Sequence, residues 1–390
     1  MGRKIGVGII GAGIMGSSRA KAAKNTPETE VVAIADVVEE RARSLADQVG
    51  AVPYTDFREM LRNERVEAVF VTTPDHLHKE PVIAAAEAGK HLWIEKPLAT
   101  NMDDAKEMMK AITRAQKAGA KVTVQFSTRW YPAYAAFERV VKWGYVGEPI
   151  SIDFSINDRI DVPLSMWGGP GKSWAKHSSV ADFLTCYAVD LVRCITGLEA
   201  QKVYARSSSK VLKFTPDFYQ ALVAFQGDFN AYLESNWILA RSKLQLSEHY
   251  VLLSCSGGTL QYLSPNATFV AQSVGGGEIF FKEDTSMETL MEIQGRLKEE
   301  GIVARIVSEP EREYPYEIWT AKDQNRALWI PTGAAHHVKH HHGSQFKNFI
   351  YSILENQEPY VTAMDGYKAA EVVCAIKDSA SRGETVRLSP

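Results

Sequence analysis

The sequence predicts an α/β N-terminal Rossmann domain with a parallel sheet, followed by an α+β domain built on a large, mainly antiparallel open sheet. Three observations predict it. Strands alternate with helical stretches over the first third, a glycine fingerprint opens the first helix, and β-rich runs after Phe126 follow one another almost without helices. Alternation implies right-handed crossovers and parallel pairing, and uninterrupted succession implies antiparallel neighbours. At 390 residues the chain exceeds one ordinary core, so two domains are expected. The boundaries are 1–126 for the dinucleotide and 127–390 for substrate binding and oligomerisation.

In order, Lys4–Ile10 reads as the first strand, Ser17–Lys24 as a helix and Glu30–Asp36 as the second strand. Glu39–Val49 is helical, Val66–Thr72 a third strand, Pro81–Ala88 a helix and His91–Ile94 a fourth strand. Asp103–Ala118 is a helix and Lys121–Phe126 a fifth strand. After a helix at Pro132–Trp143 come runs rich in β-branched and aromatic residues: Ile150–Asn157, Lys202–Ser208, Phe218–Phe225, Ala231–Asn236, Tyr250–Cys255 and Thr259–Tyr262. A helix around Ala181–Thr196 interrupts them. Gly275–Ala327, with helical periodicity at Ser286–Glu300, reads as an insertion. Helices at Ser344–Glu355 and Gly366–Ser381 close the chain.

Composition narrows the partners. A chain 45% hydrophobic and 23% charged is globular. Its net charge of −3, with no basic block outside one histidine-rich stretch, argues against nucleic acid. Four scattered cysteines without a Cys-x-x-Cys pair read as reduced thiols of a cytoplasmic protein. The opening MGRKIGVGIIGAGIMG lacks a cleavage pattern and runs into the fingerprint, so it reads as a strand rather than an export signal. No run approaches the roughly 20 apolar residues of a membrane span.

The fingerprint is GAGIMG, Gly11–Gly16. Gly11 permits the tight turn, Gly13 lets backbone approach a pyrophosphate and Gly16 allows close strand–helix packing. Ile14 and Met15 open the helix whose N–H groups face the phosphates. Asp36 ends the second strand, 20 residues after Gly16, where a carboxylate accepts from both ribose hydroxyls and repels a 2′-phosphate. Val37 and Val38 supply no cation, while Arg41 and Arg43 lie further on but within reach, so Arg41 is counted among the expected cofactor contacts. NAD is therefore expected over NADP.

TTPDHLH (Thr72–His78) and EKP (Glu95–Pro97) join the fingerprint in order, and the chain resembles the Gfo/Idh/MocA family of sugar and cyclitol oxidoreductases. QFSTRWYP (Gln125–Pro132), GEPISIDF and the tail from FKNFIYSILENQEP to ETVRL extend the resemblance over nearly the whole chain. It implies cofactor contacts at Thr73, Pro74, His76, His78, Glu95, Lys96 and Gln125. The residues themselves support a role for Lys96. It stands at the carboxyl end of a parallel strand, Pro97 biases it away from helical geometry, and a lysine there can handle an alcohol proton.

In the family a second motif supplies the acid/base partner: aspartate, histidine four residues on, and aspartate three beyond. Aligning VADFLTCYAVDLVRCITG (Val180–Gly197) on Asp190 puts Tyr187 at the histidine and Phe183 at the first aspartate, with Asp182 displaced by one. Some relatives place tyrosine at that position, so Tyr187 is the expected partner of Lys96. On a wheel, Leu184, Ala188, Leu191, Val192 and Ile195 form a buried stripe, and Asp182, Cys186, Tyr187 and Asp190 fall on the other side as a site wall.

Upstream, Asn157–Ser179 is dense in polar and aromatic groups. Trp167 and Trp174 offer faces for a sugar ring, and Asp158, Arg159, Lys176 and His177 offer donors and acceptors. Arg129, Asp182 and Asp190 are also expected to orient hydroxyls. GPGKS is no P-loop, since Met166 stands where its first glycine belongs. HHVKHHH (His336–His342) has i, i+4 histidines but no accompanying cysteine or HExxH glutamate, so no metal is assigned. The Asn-Ala-Thr at Asn266 has no glycosylation role in a cytoplasmic protein.

The reading is an NAD-dependent dehydrogenase of a sugar, cyclitol or glycoside, assembled as a homo-oligomer (dimer or tetramer) through an exposed sheet face. Two alternatives stand beside it. One is a redox-neutral glycoside-cleaving enzyme with retained NAD, the other a non-catalytic sugar- or NAD-sensing module.

Overall fold

The computed structural model describes residues 3–166, 174–243, 245–264, 276–282, 284–307, 327–331 and 340–388. The expectations for Trp167, GPGKS, Asn266 and His336–Lys339 lie outside these. The chain divides into two compact units. One comprises Met1–Phe126, Trp167–Cys186 and Ser344–Cys374, and the other Ser127–Met166, Tyr187–Gly343 and Ala375–Pro390.

The first unit is built on β1 (Ile5–Ile10), α1 (Ile14–Lys24), β2 (Thr29–Ala35), α2 (Glu39–Val49), β3 (Val52–Tyr54) and α3 (Phe57–Leu61). β4 (Ala68–Val71), α4 (Lys79–Glu87), β5 (His91–Ile94), α5 (Met102–Lys117) and β6 (Val122–Val124) complete it. The parallel sheet has the order β3-β2-β1-β4-β5-β6. This is the Rossmann order, with its switch point between β1 and β4, where open α/β sheets bind ligands. Strands covered on both faces should be continuously apolar, and β1 and β4 are buried throughout. Helix α5 shows the local logic: Asn101 caps its N-terminus, Asp103 and Asp104 lie in the first turn, and Arg114 and Lys117 in the last.

Two expectations need correction here. The sheet has six strands rather than five. β3 is three residues long, half exposed, at the edge, and contains Pro53, so it left no strand-like run to see. Residues 344–374 also pack with the first unit rather than staying with the second domain. Phe349 and Ile350 of α9 (Gln345–Leu354) are fully buried in the core with Phe70 and Trp93, whose rings stand 5.8 and 5.9 Å from Phe349. Burying such a side chain contributes about 1.5–3 kcal/mol.

The second unit carries α6 (Pro132–Lys142), β7 (Pro149–Arg159), α7 (Cys186–Thr196) and the strands β8 (Ala200–Ser208) and β9 (Phe218–Phe225). It continues with β10 (Asn230–Leu239), β11 (Ser247–Cys255), β12 (Gly258–Leu263), β13 (Gly276–Phe281), α8 (Met287–Glu299), β14 (Arg305–Val307) and β15 (Ala327–Pro331). Helix α10 (Ala363–Arg382) leads to β16 (Val386–Arg387). The ten strands lie in the order β14-β15-β13-β12-β11-β7-β10-β9-β8-β16, all antiparallel neighbours except β7 and β10. The described parts of 275–327 contribute β13 and β14 to this sheet, with α8 between them where helical periodicity was expected. Gly277 of β13 lies so close beneath α6 that a Cβ would stand 2.7 Å from that of Ala133.

Candidate active site

The fingerprint loop is shaped by steric necessity at its first and third glycines. Gly11 adopts φ +100°, and a Cβ there would stand 2.9 Å from the Thr72 backbone. At Gly16 a Cβ would stand 1.8 Å from the Gly11 carbonyl oxygen. Gly13, the N-cap of α1, differs: a Cβ would meet nothing within 4 Å, and no side chain caps the helix. Free N–H groups over open space fit a pyrophosphate. Helix α1 begins at Ile14, three residues earlier than expected, so Ile14, Met15 and Gly16 form its first turn.

Asp36 follows β2 and is held by two backbone donors, Ala12 N–H at 2.8 Å and Val38 N–H at 2.9 Å. Its carboxylate is thereby fixed beside the fingerprint. Arg41 is exposed on α2 beyond Glu39 and Glu40. The sequence reading missed Thr72, whose hydroxyl donates to the carbonyls of Gly11 at 2.7 Å and Ile10 at 3.0 Å.

The loop after β4 holds Thr73, Pro74, Asp75, His76 and His78. His78 was expected at the cofactor, but it is buried. Its Nδ1 lies 2.9 Å from the Pro97 carbonyl and its Nε2 3.1 Å from the Thr73 carbonyl. It ties the loop after β4 to the loop after β5, and burial pulls its pKa down against the opposing charge of Asp75. Burial also pushes the Asp75 carboxyl up, yet hydrogen bonds from His76 and Ser178 outweigh this and leave it below its usual value.

Glu95 is likewise engaged within the protein. Its Oε1 accepts from Arg19 at 2.7 Å and Trp93 Nε1 at 3.0 Å, and the Arg19 guanidinium lies 4.9 Å from the Trp93 ring centroid. Gln125 is buried and extends the β5–β6 pairing through its N–H to Ile94 O. Lys96, joined to Pro97 by a cis peptide, leaves the end of β5 half-buried. Its amine donates to the carbonyl of Phe183 and lies 3.3 Å from the centroid of the Phe183 ring.

Phe183 belongs to a stretch, 174–186, that packs into the first unit, contrary to its expected place in the second domain. The His76 and His177 rings meet at 4.8 Å, Ser178 donates to Asp75, and Trp174 packs on Phe183 at 4.8 Å. Asp182 is buried and accepts from Ser179 Oγ at 2.6 Å. Asp75 and His76 lay inside TTPDHLH, Trp174 and His177 inside the polar stretch 157–179, and Phe183 at the position expected for the first aspartate, whereas Ser178 and Ser179 were given no role.

Ala181–Thr185 is a π-helical turn leading into α7. A π-turn takes up one residue more than an α-turn, which accounts for the displacement of Asp182 by one position. The wheel drawn at 3.6 residues per turn does not hold across it. The expected polar wall is also incorrect, because Asp182, Cys186 and Asp190 are as buried as Leu184 and Leu191. Tyr187 alone of that group is half-buried.

In the second unit, Asp190 has no exposed surface. Its two oxygens accept from Nε (2.9 Å) and Nη2 of Arg129, itself buried after β6. The two residues expected to orient hydroxyls are thus paired with each other. Losing one partner of such a pair costs about 3–5 kcal/mol. Asp158 is buried at the end of β7. Among the described residues, no group of three His, Cys, Asp or Glu could hold a metal, and no helix is long and apolar enough to cross a membrane.

The strand order, fingerprint and anchored acid define a dinucleotide-binding protein of the Rossmann class. Residues 5–126 match the family described as an oxidoreductase family with an NAD-binding Rossmann fold. Myo-inositol 2-dehydrogenase of Thermotoga maritima is 30% identical over 203 residues, which cover 52% of this chain and 58% of that protein. An uncharacterized oxidoreductase of Bacillus subtilis, YrbE, is 29% identical over 54% of this chain and 59% of its own length. The chain thus spans under three fifths of the curated relatives it matches first. Among solved structures, scyllo-inositol dehydrogenase from Lactobacillus casei with bound NAD(H) and scyllo-inositol aligns over 99% of both chains at TM-score 0.69 and 19% identity. At that identity the likeness establishes the fold.

Proposed function

We propose that this protein is an NAD-dependent oxidoreductase acting on a secondary alcohol, or the matching ketone, of a sugar, cyclitol or glycoside. The observation that carries the reading is Lys96, delivered by β5 to the carboxyl edge of a sheet whose fingerprint and Asp36 fit NAD. Bound NAD supplies the hydride acceptor. The alcohol must lose a proton from oxygen as hydride leaves carbon, and the Lys96 amine is the group assigned to hold or pass on that proton. Asp36 holds the ribose hydroxyls. Tyr187 is proposed to touch the reacting oxygen in place of an imidazole, while His177, Trp174, Asp158 and Asp182 are assigned to substrate recognition directly or through their neighbours. A second copy of the chain is the proposed macromolecular partner.

The substrate class follows relatives named for inositols, such as the Thermotoga maritima enzyme, and a solved neighbour described as levoglucosan dehydrogenase with NADH and levoglucosan. The test is a screen of myo-inositol, scyllo-inositol, levoglucosan and a range of sugars and glycosides with NAD and NADP. Reduced nicotinamide should form with NAD and at least one polyol. Cleavage of a glycoside with NAD retained and no net reduction would favour the redox-neutral alternative. Tyr187→Phe, which removes one hydroxyl, should lower the rate by about tenfold or more. A rate within about threefold of the parent, well under ~1 kcal/mol, would leave Tyr187 a packing residue.

A further inference from the structure

Lys96 is held by a residue at which sequence reasoning saw only a missing acid. The π-turn places Phe183 so that its ring face lies 3.3 Å, centroid to Nζ, from the Lys96 amine, and its own carbonyl accepts from the same amine. Trp174 packs at 4.8 Å on the Phe183 ring, and Ser179 O accepts from Phe183 N–H at 3.0 Å, so ring and backbone are both fixed. A cation within about 6 Å of a ring centroid is attracted to its face, more strongly where water is excluded.

We propose that Phe183 is the positioning residue for Lys96, holding its ammonium form by ring face and main-chain carbonyl together. The one-residue expansion of the helix at 181–185 is the device that presents both. The carbonyl is indifferent to the side chain, so substitutions at 183 test the ring alone. The charged and titratable groups on the surrounding elements remain in every variant: Glu95 with Arg19, Asp75, His76, His78, His177, Asp182 and, further along the same helix, Tyr187. The meaning for catalysis rests on the proposed role of Lys96, but the measurement needs no turnover, so the two ideas fail separately.

The experiment is competitive acetylation of the full-length protein's amines across pH, with and without NAD, reading the Lys96 peptide by mass spectrometry. The ring favours the charged amine, so Phe183→Leu should move the Lys96 midpoint down by about one unit relative to the parent. Phe183→Tyr keeps a ring face and should restore the parent midpoint. Should Phe183→Leu fail to fold, judged by its melting curve and NAD binding, fluorinated phenylalanines at 183 keep the shape while weakening the ring face. The midpoint should then fall step by step with fluorine number. Unchanged midpoints throughout, or an equal fall in Phe183→Leu and Phe183→Tyr, would overturn the proposal.

Discussion

Asp36 shows how much a single side chain decides. Two backbone N–H groups, from Ala12 and Val38, fix its carboxylate against the fingerprint loop. A 2′-phosphate would have to approach that charge, with Glu39 and Glu40 beyond it. NAD should therefore bind more tightly than NADP, and Asp36→Ala should narrow the gap mainly by admitting NADP. Titration of both cofactors decides this, and equal affinities in the parent protein would remove Asp36 from the account. The fingerprint and Asp36 were legible because their spacing is set by backbone geometry. The internal partners of His78, Glu95, Arg129 and Asp190 were not legible, for the opposite reason. A sequence displays a side chain's chemistry but not the neighbour that uses it, and here the neighbours were Pro97, Arg19 and, for the ion pair, each other.

Among the elements, the packing of α6 on β11 and β12 sets a pH dependence. Tyr134 places its hydroxyl 3.0 Å from Nδ1 of His249, and the Tyr134 and Tyr262 rings meet at 4.9 Å. Burial pulls the His249 pKa from 6.5 to about 4. Between those values the unfolded chain binds a proton that the folded one does not. The stability is therefore whole above about 6.5 and is lost as pH falls toward 4, by up to about 1.4 kcal/mol per unit. Urea denaturation across that range should show the slope, and His249→Gln should flatten it. An unchanged slope would mean that His249 is not held neutral in the fold. Elements with a long periodic run, such as α5 and β9, were legible. The π-turn was not, because one extra residue in a helix changes no composition or periodicity that a short window can detect. β13 to β15 were hidden by their shortness and by the long stretches separating them.

For the whole molecule, the fold class was legible from the switch in rhythm after Phe126. The large sheet leaves an apolar row on one face. Tyr204, Leu222 and Tyr232 lie side by side across β8, β9 and β10, with relative exposures of 42, 53 and 37%. The row continues through Asp153 of β7 to Leu252 of β11. Its single charge makes face-to-face pairing of two copies free of extensive like-charge opposition. Leu222→Glu should therefore lower the mass found by light scattering, and an unchanged mass would place any interface elsewhere.

Hydride transfer on this Rossmann unit is proposed to rest on Lys96 as the proton-handling group. It is tested most directly by comparing parent and Lys96→Met in nicotinamide reduction and in NAD titration, using the polyol found by the screen. Turnover of Lys96→Met should be lower by about 10²–10⁴-fold with the NAD dissociation constant nearly unchanged. Turnover preserved at saturation together with a lost affinity for NAD would contradict it and make Lys96 a cofactor clamp.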